Sequence, residues 1–421
     1  MPRLAPLLLL VSLAACLRSG PVTSHQATNA IPLQARLDAF EQVWSTIDTK
    51  YYDPTFKGLN WGDVRVRYRS AVLGTEDSEP FHAILNDMVQ QIPDSHLSVT
   101  PPPKAEATHI ASRAGVGVEL TTIGDEVIVT ATEPEGPAAL AGIRPGDRVL
   151  GVDGRSVESV FGDFVARASA WEVTPELRDA RRSVSVFRAL LGAEGSTVVV
   201  RIEDESGRTR DLTLQRSRSS SHGALLPATF ARVSERVGIL RIPIWAGELE
   251  AKFDAALEEC RTCDAMIIDL RGNVGGYATL LSALAGRLLV EDAVLSEWRY
   301  RDRVETLSAK GSGAAAFRGR VFVIIDGRSA SSSELFAASL QDLGRARVVG
   351  TRSGGAVLPS LIEKLPTGGS LLYPIADAVR PSGERVEGRG VQPDVILETS
   401  RATLYAERDI VLEETIAMAE R

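Results

Sequence analysis

The sequence has no surplus of positive charge and no dense basic run. Its 47 Lys and Arg residues are outnumbered by 55 Asp and Glu residues, so the formal net charge at pH 7 is -8. Proteins that bind nucleic acids present clustered cations to the phosphate backbone, so this balance argues against a nucleic-acid partner. The hydrophobic fraction of 44 % and the charged fraction of 24 % are instead typical of a folded globular protein.

Cysteine is scarce, with three residues in the whole chain. Cys260 and Cys263 form a C-x-x-C pattern at the end of a predicted helix. A structural zinc site would need a second pair of ligands at a compatible spacing, and the sequence shows none. A local disulfide, which an oxidising compartment favours, and a pair of free buried thiols both stay open. We predict no catalytic role for either residue.

The N-terminus differs in kind from the rest of the chain. Arg3 precedes an apolar run over 4–15, which has the length of a secretory signal and is too short to span a bilayer. The run ends on Leu13-Ala14-Ala15-Cys16, which resembles the lipobox of bacterial lipoproteins. That resemblance implies cleavage before Cys16 and lipidation of this cysteine; the alternative is a plain signal peptide with an incidental cysteine. We expect a lipid-anchored bacterial envelope protein that faces the periplasm, and Leu17 favours the outer membrane because it is not an aspartate.

Composition and periodicity divide the chain into several domains, as expected for a length beyond that of one hydrophobic core. A tether rich in polar residues cannot bury enough surface to fold. Apolar residues then recur at helical spacing, short alternating strands follow, and finally apolar strands alternate with helices, which favours a sheet covered on both faces. The predicted bounds are 1–15 for the signal peptide, 16–35 for the tether, 36–102 for a helical domain, 103–217 for a β-rich domain and 218–421 for an α/β core.

The β-rich domain resembles a PDZ domain. The run over 136–154 has the order and spacing of the PDZ helix, turn and strand, and a helical insert is expected over 161–191. PDZ domains bind an extended peptide as an added strand and hold its carboxylate with backbone N–H groups. The resemblance places that loop at Gly115, Val116, Gly117 and Val118. The alternative is a PDZ fold that only packs against or gates the core.

Two turns of the α/β core carry residue types suited to catalysis. The first follows a buried strand and contains Gly275 and Gly276, which let the backbone approach a ligand and point N–H groups at it. The second places Ser331 between a strand and a helix, where the helix dipole favours developing negative charge. Ser331 and Glu334 also form a capping-box pattern, so a purely structural role for this serine stays open from spacing alone.

Five segments occur in the order seen in the C-terminal processing and tricorn-core serine peptidases. They are Asp94-Ser95-His96, the PDZ-like run, residues 269–276, Ser329-Ala330-Ser331-Ser332-Ser333-Glu334 and residues 387–394. The resemblance covers nearly everything after the tether. It implies a core similar to the crotonase and Clp protease fold, with Ser331 as the nucleophile.

The sequence departs from the Ser-Lys branch of that family at the general base. Ala356 stands where that branch has its lysine, and the surrounding loop resembles the tricorn branch instead. The resemblance then implies His96 as the base, with Ser95 and Glu387 as supporting groups. Imidazole is suited to activating a serine near neutral pH, and a carboxylate or hydroxyl can hold its tautomer. The alternatives are that His96 only packs the helical domain and that Glu387 only pairs with an arginine.

The combined prediction is a multidomain α/β protein with a helical N-terminal segment, a PDZ-like β-rich domain and a crotonase or Clp-protease-like catalytic core. Ser331 would attack a peptide carbonyl, and the oxyanion would face N–H groups of Gly275 or Gly276 and of Ser332. No metal or cofactor is required. The expected substrates are polypeptides, presented through their unstructured C-termini.

Two functions of other classes stay open. The missing lysine is compatible with an inactive relative that binds peptides or other ligands in the envelope, and the PDZ-like domain is compatible with a scaffold that tethers partners. Labelling of Ser331 by a serine-directed fluorophosphonate would distinguish them, because it requires an activated hydroxyl. If His96 is not the base, Lys364 is the lysine that remains as a candidate.

Overall fold

The structure is a computed structural model that describes residues 30–102, 114–165, 174–218 and 227–421. The predicted signal peptide, Cys16 and most of the tether lie outside the described residues, so these assignments stay predictions. Within the four described ranges, no helix combines the length and the apolar character that a membrane span requires.

The described ranges contain both helices and strands, and we number each kind in chain order. The helices are α1 Leu33–Lys50, α2 Trp61–Gly74, α3 Ser78–Val89, α4 Pro137–Leu140, α5 Val157–Val165, α6 Pro175–Leu190, α7 Leu249–Glu259, α8 Ala278–Leu288, α9 Ser332–Asp342, α10 Arg401–Tyr405 and α11 Ile410–Glu420. The strands are β1 Ser98–Thr100, β2 Val118–Ile123, β3 Glu126–Thr132, β4 Arg148–Val152, β5 Arg155–Ser156, β6 Thr197–Glu203, β7 Thr209–Gln215, β8 Thr229–Arg232, β9 Val237–Arg241, β10 Ala265–Asp269, β11 Ala293–Tyr300, β12 Val304–Ala309, β13 Arg320–Ile325, β14 Ala346–Gly350, β15 Ser360–Lys364, β16 Ser370–Pro374, β17 Ala376–Val379 and β18 Val395–Ile396.

The N-terminal helices share a hydrophobic core with a late part of the chain. Helices α1 to α3 pack around buried side chains such as Phe40 and Phe81, and Leu371 and Tyr373 of β16 belong to the same cluster. Strand β1 pairs antiparallel with β16 in a sheet of order β1-β16-β15. Helix α1 already begins at Leu33, inside the range predicted as tether. The helical segment is therefore built onto the α/β core, a union that periodicity could not reveal.

The PDZ-like part is an antiparallel sheet of order β2-β3-β4-β6-β7. The helical stretch predicted over 161–191 is present as parts of α5 and α6. Helix α6 packs against β2, and its Val186 and Leu190 are buried with Val116 and Val118. Helix α6 is therefore part of the domain's hydrophobic core and not an extra element outside it, because its apolar side chains cover one face of the sheet.

The α/β core contains a six-stranded sheet of order β18-β14-β13-β10-β9-β8, parallel except for β8. Successive side chains of a strand point to opposite faces. In β10, Met266 and Ile268 pack under α7, α8 and α9, whereas Ala265 and Ile267 pack under α11. Both faces are covered, which confirms the predicted class of fold. The turns that follow β10 and β13 lie at the same edge of the sheet and carry the glycine-rich and serine-rich motifs.

A disulfide joins Cys260 to Cys263 at the end of α7. Cys260 is completely buried against Gly238 of β9, where any side chain beyond hydrogen would collide with its sulfur. The structure thus selects the disulfide from the two states that the sequence left open.

Two contacts between the PDZ-like domain and the core lie at the start of α6 and at α10. At the start of α6, the Thr174 hydroxyl donates to the Gly354 carbonyl at 3.0 Å. At the other contact, the Tyr405 ring of α10 lies over Gly146, whose φ of +94° and lack of a side chain both suit this close approach. A cavity of about 870 Å³ lies between the domain and the carboxyl edge of the core sheet.

Candidate active site

Ser331 lies in the turn between β13 and α9 with a backbone conformation that a helix cap does not need. Its φ is 56°, whereas N-cap residues normally have extended φ and ψ. Two hydrogen bonds hold the turn: the Ser331 N–H donates to the Ala356 carbonyl at 2.7 Å, and the Ala330 N–H donates to the Asn273 carbonyl at 3.0 Å. Non-glycine residues with positive φ are uncommon, and such strain tends to be kept where function requires it.

The capping-box pattern is nevertheless formed on the Glu334 side. The Glu334 carboxylate accepts a hydrogen bond from the Ser331 N–H at 3.1 Å. The cap and the nucleophile hypotheses are therefore compatible, because the cap uses the backbone of Ser331 and the strained turn directs its side chain.

The glycine-rich turn packs directly against Ser331. A side chain at Gly275 would bring its Cβ to 2.5 Å from the Ser331 Cβ, and one at Gly276 would lie 2.2 Å from the Trp245 carbonyl oxygen. Their φ values of 103° and 144° are also rare for other residues. Close approach and backbone conformation thus both require glycine at these two positions.

The hydrogen bonds around the turn show which of the predicted oxyanion donors, the N–H groups of Gly275, Gly276 and Ser332, already have an acceptor. The Ser332 hydroxyl donates to the Gly276 carbonyl at 2.9 Å, which brings the start of α9 against the glycine turn. The Gly275 N–H donates to the Asn273 side-chain oxygen at 2.8 Å and is thereby engaged. In the part of the chain that the structure describes, the N–H groups of Gly276 and Ser332 have no protein acceptor. Of the two glycines considered, Gly276 is therefore the one whose amide can donate.

His96 lies in the segment between α3 and β1, next to Ser95. The Ser95 hydroxyl oxygen and the His96 Nδ1 are 2.6 Å apart. Burial lowers the pKa of the His96 imidazole to about 4. The ring is therefore neutral at physiological pH and has a lone pair with which to accept a proton.

Glu387 closes the other end of this hydrogen-bonded chain. Its carboxylate accepts hydrogen bonds from the Val357 N–H at 2.7 Å and from the Ser95 hydroxyl. Burial raises the pKa of the Glu387 carboxyl to about 8; these hydrogen bonds lower it, and the charges of Asp94 and Glu334 raise it further.

The ionised form of Glu387 determines the direction of the chain. An ionised carboxylate can only accept, so Ser95 must donate its hydroxyl proton to Glu387. Ser95 is then left to accept from Nδ1–H of His96. This arrangement leaves Nε2 of His96 as the proton-accepting nitrogen, which is the tautomer that a general base requires.

A single loop over 353–357 bonds to two parts of the site: the turn that holds Ser331, and Glu387, which is hydrogen-bonded through Ser95 to His96. The fully buried Glu334 accepts hydrogen bonds from the Ser353 hydroxyl at 2.5 Å and from the N–H groups of Gly355 and Ala356 at 2.7 and 2.9 Å. The next residue, Val357, donates its N–H to the Glu387 carboxylate. Across the described ranges, the Ser331 hydroxyl and His96 share no direct hydrogen bond. Such bonds often tighten only when substrate is present.

Glu334 is the buried group of this site that sequence reasoning did not assign beyond its cap. Burial raises the pKa of its carboxyl to about 7. The signal that could have found it is its place in α9, where the apolar run from Leu335 to Ala338 predicts a buried helix start. A buried carboxylate there must be hydrogen-bonded, and its donors prove to be the loop over 353–357.

Neither lysine position offers an ammonium group to Ser331. Ala356 lies beside Ser331, whose N–H donates to the Ala356 carbonyl. Lys364 is exposed on β15, and its ammonium donates to the Ser370 hydroxyl at 3.1 Å. Among the residues that the structure describes, no group of three His, Cys, Asp or Glu side chains could hold a metal ion.

The loop predicted to receive a peptide lies between the PDZ sheet and α6. Gly115, Val116, Gly117 and Val118 line a small pocket with residues near the end of that helix. Over the described ranges, the N–H groups of Val116 and Gly117 have no protein acceptor. The arrangement suits a carboxylate, and peptide capture at this loop stays a prediction.

Comparison with known proteins reveals three families along the chain. The family model of peptidase family S41 matches residues 236–397, that of the tricorn protease C1 domain matches 32–90, and that of the PDZ domain matches 128–163. These matches account for the helical segment, the PDZ-like sheet and the α/β core.

Individual relatives and solved structures are consistent with these family matches. The chain is 27 % identical to carboxyl-terminal-processing peptidase 2, chloroplastic, of Arabidopsis thaliana, over 84 % of this chain and 67 % of the relative. It is also 27 % identical to the tail-specific protease of Haemophilus influenzae, over 80 % of this chain and 50 % of the relative.

Among solved structures, the fold resembles the photosystem II D1 C-terminal processing protease, with a TM-score of 0.59, 24 % identity and coverage of 86 % of this chain and 93 % of the other. It also resembles mature CPAF, with a TM-score of 0.68, 16 % identity and coverage of 92 % and 98 %. The chain therefore contains a peptidase family S41 domain, which makes it a serine peptidase, together with a tricorn C1 domain and a PDZ domain.

Proposed function

We propose that this peptidase is an endopeptidase of the bacterial cell envelope that cleaves unstructured or C-terminally presented polypeptides, with Ser331 as nucleophile and His96 as base. The observation that carries the proposal is the convergence of two arrangements on one loop. The strained Ser331 bonds to Ala356, and the chain from Glu387 through Ser95 to His96 begins at the neighbouring Val357.

The reaction starts when Ser331 Oγ attacks the scissile carbonyl carbon while its proton moves to Nε2 of His96. Glu387, acting through Ser95, stabilises the imidazolium ion that forms. The carbonyl oxygen becomes an oxyanion and accepts hydrogen bonds from the N–H groups of Gly276 and Ser332. The dipole of α9 adds to this stabilisation, because Ser332 is the first residue of that helix.

The intermediate then collapses, and His96 returns the proton to the leaving amine. The C–N bond breaks and the N-terminal product remains as an ester of Ser331. A water molecule attacks this ester, with His96 again taking the proton, and releases the new carboxylate with a regenerated serine.

The PDZ loop supplies the basis for the proposed substrate class. Free N–H groups at Val116 and Gly117 suit a terminal carboxylate, and an extended peptide can lie along β2 beside α6. A chain without stable structure can add to the edge of β2 as an extended strand, whereas a folded segment cannot.

The envelope location is proposed from the sequence over 1–16. Labelling of cells with a radioactive fatty acid should mark the protein, and Cys16→Ser should remove the label. An unlabelled wild-type protein in the membrane fraction would contradict the lipid anchor while leaving the catalytic proposal untouched.

The catalytic proposal is tested by Ser331→Ala. Hydrolysis of fluorescein-labelled, unfolded casein and labelling by a fluorophosphonate should both be lost, while the thermal unfolding curve is retained. Ser308→Ala is the matched control, because Ser308 is exposed on β12. Retained hydrolysis in Ser331→Ala would reject the nucleophile. A folded wild-type protein that is neither labelled nor active would instead support a peptide-binding relative.

A further inference from the structure

The turn between α1 and α2 holds a lysine in an unusual backbone conformation. Phe56 and Lys57 have φ values of 49° and 55°, two successive residues in the left-handed region that non-glycine residues rarely adopt. The Asp53 carboxylate accepts the Lys57 N–H at 3.2 Å, and the Phe56 ring stacks between Tyr51 and Trp61. A backbone conformation that costs free energy and is held in place by several contacts is expected where it has a functional role.

The contacts of the Lys57 ammonium group indicate this role. The ammonium donates to the Tyr52 hydroxyl at 2.6 Å and lies 3.6 Å from Oδ1 of Asp94. Asp94 is 3 % exposed, and its other oxygen accepts from the Tyr51 hydroxyl. Lys57 thus provides, together with Arg385, positive charge for a buried carboxylate that directly precedes Ser95 and His96.

Asp94 and Glu387 are buried acids on the two sides of Ser95. Several elements place charged or titratable groups near them: Tyr51, Tyr52 and Lys57 after α1, Arg385, and Glu334 of α9. Arg385 is itself paired with Asp377 at 2.8 Å. The cation contributed by the helical domain therefore matters for how much negative charge this cluster can hold.

We propose that Lys57 is a positioning residue of the active site: its ion pair with Asp94 offsets a negative charge beside Ser95 and lets Glu387 remain the acceptor of the Ser95 hydroxyl. His96 then keeps Nε2 available to Ser331. This inference rests on the proposed roles of Ser331, His96 and Glu387. It assigns a lysine to the site, although at a different place and in a different role from the lysine that Ala356 replaces.

The sign of the effect follows from the charges. Burial raises the pKa of Glu387 to about 8, and the negative charge of Asp94 raises it further. Loss of the Lys57 cation leaves that charge unbalanced, so ionisation of Glu387 requires a higher pH. Loss of the Asp94 charge does the opposite, because ionised Glu387 then faces less repulsion.

The experiment measures the pH dependence of kcat/KM for fluorescein-labelled, unfolded casein and of the rate of fluorophosphonate labelling at Ser331. In Lys57→Met the midpoint of the rise should move up by about half a unit to one unit, since the lysine acts through Asp94 and not by contact with Glu387. In Asp94→Asn it should move down. The double variant should return towards the wild-type midpoint, and Lys57→Arg should retain it.

Lys50→Met is the matched control, because Lys50 is an exposed lysine of the same helical domain that pairs at 2.7 Å with Glu363 of β15. Its midpoint should not move. Unshifted midpoints in both Lys57→Met and Asp94→Asn, with only a lower melting temperature, would overturn the inference. If Lys57→Met does not fold, the isosteric Asp94→Asn and the charge-retaining Lys57→Arg decide it by the same midpoints. Failure of the proposed function shows up separately, as activity that survives in Ser331→Ala.

Discussion

The helical domain and the PDZ domain reach the loops of the candidate active site in different ways. The helical domain shares a hydrophobic core with β16 through Leu371 and Tyr373, and the segment that leaves its last helix carries Ser95 and His96. The PDZ domain meets the loop over 353–357 through polar contacts, among them the hydrogen bond from Thr174, beside a large cavity. A shared core makes one folding unit, whereas a small polar contact joins two separable ones. We therefore expect the helical domain to be part of the catalytic apparatus and the PDZ domain to be attached to it.

The sharpest way to break this comparison is His96→Ala. If the helical domain supplies the base, kcat should fall by about 10³- to 10⁴-fold with little change in KM, because proton transfer is lost and substrate contacts are kept. Steady-state kinetics on unfolded casein and the rate of fluorophosphonate labelling measure this. A loss of less than about tenfold would point to another base, and Lys364→Met in the same background would identify it.

The second test compares two leucines buried in different cores. Leu371→Ala on β16 and Leu214→Ala on β7 should each destabilise by about 2–5 kcal/mol, through lost burial and the cavity that remains. Leu371→Ala should lower the unfolding transition of the helical domain and core together, and activity with it. Leu214→Ala should lower a separate PDZ transition and leave fluorophosphonate labelling of Ser331 intact. Calorimetric scans in which both variants shift the same transition would contradict the distinction between the domains.

The third test uses pH. Ionised Glu387 can only accept from the Ser95 hydroxyl, whereas the protonated carboxyl can also donate to it and reverse the chain, so activity should rise with pH through the Glu387 pKa of about 8. Between pH 7 and pH 9, kcat/KM should increase by about tenfold, while His96, with its pKa of about 4, stays neutral throughout. Glu387→Gln should have lower activity and should lack this rise. A rise that persists in that variant would assign it to another group, for which Glu334 is the next candidate.

The smallest expected effect belongs to the PDZ contact. Thr174→Val removes the hydrogen bond to Gly354 and the side-chain cap of α6, which should cost about 0.5–2 kcal/mol in the PDZ transition. Labelling of Ser331 should change by less than about tenfold, since the loop over 353–357 is still held by Glu334. A loss as large as that of His96→Ala would mean that the PDZ domain also builds the catalytic site.

Local patterns allowed much of this protein to be predicted. The apolar strands of the core required a sheet covered on both faces, and the spacing over 136–154 indicated the PDZ domain. The motifs around Ser331, Gly276 and His96 were identified from short stretches of sequence. Each of these features depends on neighbouring residues, so its signal lies within one segment of the chain.

Other features depended on residues far apart in the chain. The choice of Gly276 over Gly275 follows from one hydrogen bond to Asn273, and the disulfide follows from the geometry at the end of α7. The contact of Lys57 with Asp94 joins a strained turn to a loop after α3. Periodicity carries no information about such pairs, because it reports which face of an element is buried and not what lies against it.

The sequence by itself determined the order of domains, the class of fold and the residue types at the two turns of the candidate active site. Only the tertiary structure decided that the helical segment is built onto the core, and that one loop bonds to both the Ser331 and the His96 sides. The physical reason is that a short stretch of sequence determines which of its side chains must be buried or hydrogen-bonded. The packing of distant segments determines which groups those side chains contact. The candidate active site of this chain depends both on these local patterns and on the packing of distant segments.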